Sequence, residues 1–177
     1  MNPASLGGTK PGTNARTEQV LLFAVANQIF AVSTHAVQEI RSTDSLAGTA
    51  NDVDYPQIPW VRHTIRRGQR TYYVVNAASH FGLPITRPAL LLIMRGSRTA
   101  VLIDRIERMA EISRVYPLPR VFAGDEQKWY RGLAYADDRV IPVIEPAAFL
   151  SADDICRLDG SAQSTLSQRE LEGTVRA

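Results

Sequence analysis

The side chains best suited to acid–base, nucleophilic or metal chemistry in this sequence are three histidines, a few carboxylates near one strand-like run, and a single thiol. His35, His63 and His80 are scattered, with no HExxH and no His/Cys spacing of the kind zinc needs. Each reads as a surface or structural histidine. Ser79 precedes His80 directly, and adjacency along the chain does not assemble a triad. Asp104 follows the run Val101-Leu102-Ile103, with Glu107 and Glu111 shortly after it. Carboxylates at a strand end suit general acid–base work, while the plainer reading is a cap or turn carboxylate. A hydrolase built on Asp104 and a histidine would require the two within hydrogen-bond reach. Cys156 has no histidine near it in sequence and reads as a packing residue. Neither a GxxxxGK[ST] phosphate loop nor a GxSxG elbow is present. The expectation is no catalytic residue, no metal and no cofactor.

The densest charge feature is basic: Arg62, His63, Arg66, Arg67 and Arg70. Arginines on a hairpin contact phosphates or acidic proteins, or stand solvated. Tyr72 and Tyr73 are the only aromatics close by, and neighbouring strand residues point to opposite faces. A platform for single-stranded RNA wants several aromatics on one face. A basic barrel binding RNA is therefore a minor alternative, and no nucleic acid is expected.

These residues must be held by short strands. Gln19–Val25 and Gln28–Val32 flank Ala26-Asn27, a two-residue hairpin signal. Val37–Arg41 follows, with Val37, Glu39 and Arg41 alternating against Gln38 and Ile40. Residues 42–55 read as a polar loop, and Pro56 and Pro59 bracket an extended connection. Thr64–Arg66 and Arg70–Val75 flank a turn at Gly68. Leu90–Met94 and Thr99–Ile103 flank another at Gly96. Arg108–Ser113 is a further strand, and Arg131–Ala134 with Arg139–Ile144 flank Tyr135–Asp138. A helix is predicted over Glu145–Arg157, with Pro146 tolerated in its first turn. Many short strands at regular spacing predict an all-β barrel or sandwich. Strand clusters before and after Pro84–Pro88 point to two small barrels.

Composition bounds the rest. The chain has 177 residues, is 45% hydrophobic and 21% charged, and carries a formal charge of +2. Such a length buries roughly two-thirds of the unfolded surface without staples. One cysteine excludes an intramolecular disulfide framework. Residues 1–17 are rich in Gly, Thr, Pro and Asn and read as a flexible arm rather than a signal peptide. The apolar runs Val20–Ala26 and Ala89–Met94 fall far short of the ~20 residues of a membrane helix. A cytoplasmic, soluble protein is expected, organised as the arm 1–17, a domain over 18–150, and the helix end and flexible tail over 151–177.

Taken in order, the motifs resemble the CheW family of chemotaxis coupling proteins. The resemblance rests on Leu21-Leu22-Phe23-Ala24-Val25 with Ile29-Phe30-Ala31-Val32, then Val37-Gln38-Glu39-Ile40-Arg41, Ile58-Pro59 and Arg67-Gly68. It continues through Val74-Val75-Asn76, Phe81-Gly82, Val101–Ile106, Pro117 with Pro119, Tyr130-Arg131-Gly132 and the strand Val140–Ile144. It spans about residues 18–150. Three places depart from the family pattern: Ile65-Arg66 stands for Asn-Leu, Asn76 for an aspartate, and Ala100 for a glycine. The resemblance implies two five-stranded barrels sharing a core, with a C-terminal helix. It implies a non-enzymatic adaptor joining the cytoplasmic tip of a methyl-accepting chemoreceptor to the regulatory domain of a CheA-type histidine kinase. A twitching-motility (PilI-like) coupling protein of the same fold is the alternative within that class. Carried over position by position, Val37, Glu39, Arg67, Ala100, Val101 and Ile106 are the receptor-binding residues. Glu39 and Arg67 would form a charged rim, or pair with each other, and Val37 and Ile106 would lie in the floor, or Val37, Val101 and Ile106 would be plain core.

Overall fold

The computed structural model describes residues 17–46, 50–53, 55–122 and 124–161. The N-terminal arm before Thr17 and the tail beyond residue 161 lie outside these. The described residues form β1 (Glu18–Val25), β2 (Gln28–Ser33), β3 (Val37–Ser42), β4 (Ala50–Asp52), β5 (Val61–Arg67), β6 (Arg70–Asn76) and α1 (Ala77–His80). They continue with β7 (Leu90–Met94), β8 (Thr99–Ile103), β9 (Arg105–Ile112), β10 (Tyr130–Ala136), β11 (Arg139–Ile144) and α2 (152–161).

The strands form two sheets. One has five strands in the order β10-β11-β2-β1-β9, and the other has six in the order β3-β7-β8-β6-β5-β4. The mostly β class is as predicted, but the sheets do not divide at Pro84–Pro88. The N-terminal hairpin joins the C-terminal strands, and β7 and β8 join the middle of the chain. Local patterning finds hairpins and leaves long-range pairing open, which is why the clusters suggested a simpler division. The sixth strand, β4, lies in the stretch expected to be loop. It pairs with β5 through Ala50↔Ile65, Asn51↔Thr64 and Asp52↔His63.

Alternation along the strands explains their continuous apolar runs. Leu21, Phe23 and Val25 of β1 enter a large core shared by both sheets, with Phe30, Tyr73, Leu92, Val101 and Ile103. Val20 and Leu22 enter a second core inside the five-stranded sheet, with Ala31, Ala134, Ile141 and Val143. In the six-stranded sheet, Ile65, Tyr72, Val74, Leu91, Ile93, Ala100 and Leu102 fill a third. Strands buried on both faces lose the polar half of the period-2 pattern.

Each sheet curls around its own core. After β9 the chain returns to β10 in a single bridge, with Tyr116 N donating to Leu133 O at 2.7 Å and Leu133 N to Tyr116 O at 2.8 Å. Gly132 makes that approach possible, because a Cβ there would overlap the Tyr116 carbonyl oxygen. Arg131 adds an ion pair to Glu18, with Nη1 2.8 Å from Oε1, and Arg108 pairs with Asp137.

The predicted C-terminal helix starts later and runs further. Pro146–Ala148 make only a 3₁₀ turn. Ser151 Oγ then accepts from Asp154 N at 3.1 Å, and Ser151 N donates to Asp154 Oδ2 at 3.0 Å, a reciprocal capping box that sets the start of α2. This shift exposes Cys156 instead of packing it. It also buries Leu158 in the shared core, with 1% of its surface exposed. The next residue, Asp159, accepts from Tyr73 Oη at 2.5 Å and Arg98 Nη1 at 3.0 Å. Arg98 holds the Asp159 carboxyl below its ordinary range, and burial beside Asp159 raises the Tyr73 phenol. The packed region thus reaches past Leu158, where a flexible tail was expected to begin.

Candidate functional site

The candidate residues lie on two faces of the six-stranded sheet and one strand of the other. In β3, Val37 pairs with Met94 and Glu39 with Ile93, so Gln38 is the extra residue of a bulge. Unbroken alternation would place Val37 and Glu39 on one face. The bulge instead turns Val37 toward the shared core and Glu39 toward the sheet's own core. Glu39 continues a cross-strand row through Ile93 and Ala100 to Val74. Ile40 heads the neighbouring row through Leu92 and Val101 to Val75.

Exposure sorts the six positions. Ala100 and Val101 have no accessible surface, and they shape the sheet from within. Ala100 sits among Ile65, Val74 and Ile93, and Val101 lies in the shared core. Val37 and Ile106 are half-buried against the shared core from β3 and β9. Ile40 is 43% exposed at the sheet edge, an apolar side chain the sequence reading did not select. Its signal was the alternation within VQEIR, once the bulge at Gln38 is counted.

Glu39 and Arg67 meet directly. Arg67 Nη2 lies 2.5 Å from Glu39 Oε2, and Arg41 Nε donates to Glu39 Oε1 at 2.6 Å. Arg67 also stands over the Tyr72 ring, 6.0 Å from its centroid. The hydrogen bond from Arg41, and then the charge of Arg67, hold the Glu39 carboxyl below its usual range. β3 and β5 are four strand positions apart, roughly 19 Å in a flat sheet at about 4.8 Å per strand. A side-chain contact between them therefore requires the sheet to curl, and the pair closes its seam.

The groups suited to catalysis are not gathered. Asp104 accepts from Ala26 N at 2.7 Å and Thr86 Oγ1 at 2.5 Å, which ties the β1–β2 turn to the segment before β7. His63 Nδ1 lies 2.7 Å from Asp52 Oδ1 on the surface. His80 is buried among Trp60, Phe81, Trp129 and Phe149, with ring centroids 5.0–5.6 Å away. Among the described residues neither ring nitrogen of His80 has a hydrogen-bond partner, and the same holds for Trp60 Nε1. Burial lowers the His80 pKa to about 4, so the ring is neutral at pH 7. Among the described residues, no group of three or more His, Cys, Asp or Glu could hold a metal ion. No helix among them is long and apolar enough to cross a membrane.

Of the departures from the family pattern, Asn76 has a plain structural outcome. Its Oδ1 accepts from Ser79 N at 3.0 Å and caps α1, as a carboxylate would. Arg66 is exposed and Ile65 is buried in the inner core of the six-stranded sheet.

Comparison with known proteins agrees with this architecture. Among solved structures, the scaffolding protein TtCheW from Thermoanaerobacter tengcongensis is similar at a TM-score of 0.63 and 16% identity, over 78% of this chain and 95% of that one. At that identity the likeness speaks to the fold. No individually curated protein sequence matches the chain. The model of the CheW-like domain matches residues 19–154, spanning all eleven strands but the first residue of β1. The chain therefore belongs to the CheW-like domain family.

Proposed function

We propose that this protein is a cytoplasmic coupling adaptor without chemistry of its own. It joins the cytoplasmic tip of a methyl-accepting chemoreceptor to the regulatory domain of a CheA-type histidine kinase. The observation that carries the reading is membership of the CheW-like family across residues 19–154. The scaffold title of the structural neighbour points the same way.

In this reading the receptor site lies where β3 and β5 approach through their side chains. Glu39, Arg41 and Arg67 form a charged rim at the seam of the six-stranded sheet. Val37, Ile40 and Ile106 offer apolar surface over the shared core. An amphipathic receptor hairpin docks on such surface through its apolar face, and the rim fixes its register. Ala100 and Val101 act from behind by setting strand position. The shared core joins the two sheets, so a receptor and a kinase bound to the protein together are held in fixed relative geometry. Receptor states then shift kinase populations through differential contacts.

Co-sedimentation of the full-length protein with receptor tips and kinase tests this. A ternary complex is expected, and Arg67→Glu is expected to weaken receptor retention at least about tenfold while kinase retention holds. A folded protein that enters no complex with either partner overturns the reading.

A further inference from the structure

The hairpin of β5 and β6 carries positive charge that the described residues do not balance. Arg66 pairs in register with Thr71, and Arg67 with Arg70, so three guanidinium-bearing residues meet at one hairpin tip. Arg62 projects from the same strand at its bulge. The nearby carboxylates are engaged: Glu39 is divided between Arg41 and Arg67, and Asp52 faces His63. The guanidinium groups of Arg62, Arg66 and Arg70 are exposed and have no hydrogen-bond or ion-pair partner among the described residues. Elsewhere, Arg105, Arg108 and Arg131 each have a carboxylate, in Glu107, Asp137 and Glu18. Like charges placed opposite each other on paired strands oppose folding. A partner bearing carboxylates reverses the sign of that interaction.

We infer that the β5–β6 hairpin selects a docking segment rich in Asp and Glu, with Arg66 and Arg70 as the residues that set this preference. The inference rests on the coupling reading for the location of the site and goes beyond it in naming the chemistry of the partner's surface. An acidic protein segment fits better than a nucleic acid. At the hairpin tip the aromatics, Tyr72 and Tyr73, are 6% and 1% exposed and leave no face there for a base to stack on. Carboxylates meet guanidinium groups in paired, charge-assisted hydrogen bonds without needing such a face.

Fluorescence anisotropy on the full-length chain tests the chemistry with three labelled decamers: oligoglutamate, oligolysine and oligothymidylate. Oligoglutamate is expected to bind at low ionic strength and to weaken several-fold as salt is raised. The double variant Arg66→Glu/Arg70→Glu is expected to lose about tenfold or more in affinity. Arg139→Glu, on the other sheet, is expected to stay within about twofold. Thermal melts establish that both variants fold. Tighter binding of oligothymidylate or oligolysine than of oligoglutamate overturns the inference, as does unchanged oligoglutamate affinity in the double variant. The receptor-tip assay separates the two readings. Receptor tips retained equally by wild type and double variant overturn the acidic-segment inference and leave coupling intact. Receptor and kinase both lost from wild type, with the oligoglutamate response preserved, overturn coupling instead.

Discussion

The two sheets close differently. The five-stranded sheet ends in main-chain hydrogen bonds between Tyr116 and Leu133, made possible by the missing side chain of Gly132. In the six-stranded sheet the edge strand β3 reaches β5 through side chains alone, Glu39 to Arg67. Main-chain closure tolerates no rearrangement at its contact point. A seam of exposed charged side chains exchanges partners at little cost, since surface ion pairs contribute about 1 kcal/mol or less. The contrast separates a fixed main-chain contact from an exchangeable charged one, and of the candidate residues Glu39 and Arg67 lie at the second.

The largest effect is expected at the main-chain seam. Gly132→Val drives a side chain into the Tyr116 carbonyl and is expected to destabilise by at least about 3 kcal/mol in chemical denaturation. A loss below about 1 kcal/mol would mean the seam is as yielding as the other one.

The next expectation concerns the core that joins the sheets. His80 has its pKa lowered from 6.5 to about 4 by burial, so the unfolded chain binds its proton first as pH falls. Its contribution is fully present above pH 6.5 and is lost as pH falls through about 4, for up to about 3 kcal/mol in total. Denaturation midpoints across that window should decline with acid, and His80→Phe should flatten the decline. An unchanged slope in the variant would assign the acid sensitivity elsewhere.

A smaller effect is expected at Asp159, which fixes α2 to the six-stranded sheet although α2 follows the five-stranded one. Asp159→Asn removes the charge facing Arg98 and should cost about 1 kcal/mol, read as faster amide exchange across α2. Smallest is the β1–β2 turn, where Ala26 and Asn27 both have positive φ, at 49° and 66°. Ala26→Gly relieves a conformation that an L-residue adopts at some cost and is expected to stabilise by about 0.5–1 kcal/mol.

Much of this organisation was legible in the sequence. The hairpins around Ala26-Asn27, Gly68 and Gly96 were marked by turn residues between apolar runs, and the structure has each of them. β4 escaped because Ala50, Asn51 and Asp52 have little strand propensity and are held only by pairing with β5. The start of α2 was encoded in Ser151 and Asp154, a signal masked by the attraction of Pro146 as a first-turn residue. At the site, the Glu39–Arg67 pair was one of two arrangements that charge and resemblance allowed. The opposite facing of Val37 and Glu39 was hidden, because nothing in VQEIR announces that Gln38 is a bulge. Plain core was one of two readings open for Val101, but the complete burial of Ala100 was hidden, since a strand covered on both sides shows no alternation to tell which face is which.

The exchange of strands between the two ends of the chain has a consequence for synthesis. β1 pairs with β9, Glu18 lying opposite Ile112, and the same sheet is completed only by β11. On the ribosome, β1 therefore emerges roughly a hundred residues before its last neighbours. At about 5–20 residues per second it waits some ~5–20 s with both apolar faces unpaired. Cutting the chain at Pro84–Pro88 would yield two fragments that each lack strands of their own sheet, not two small domains. The five-stranded sheet is therefore completed only late in synthesis, and the apolar faces of the β1–β2 hairpin stay without their full cover until then.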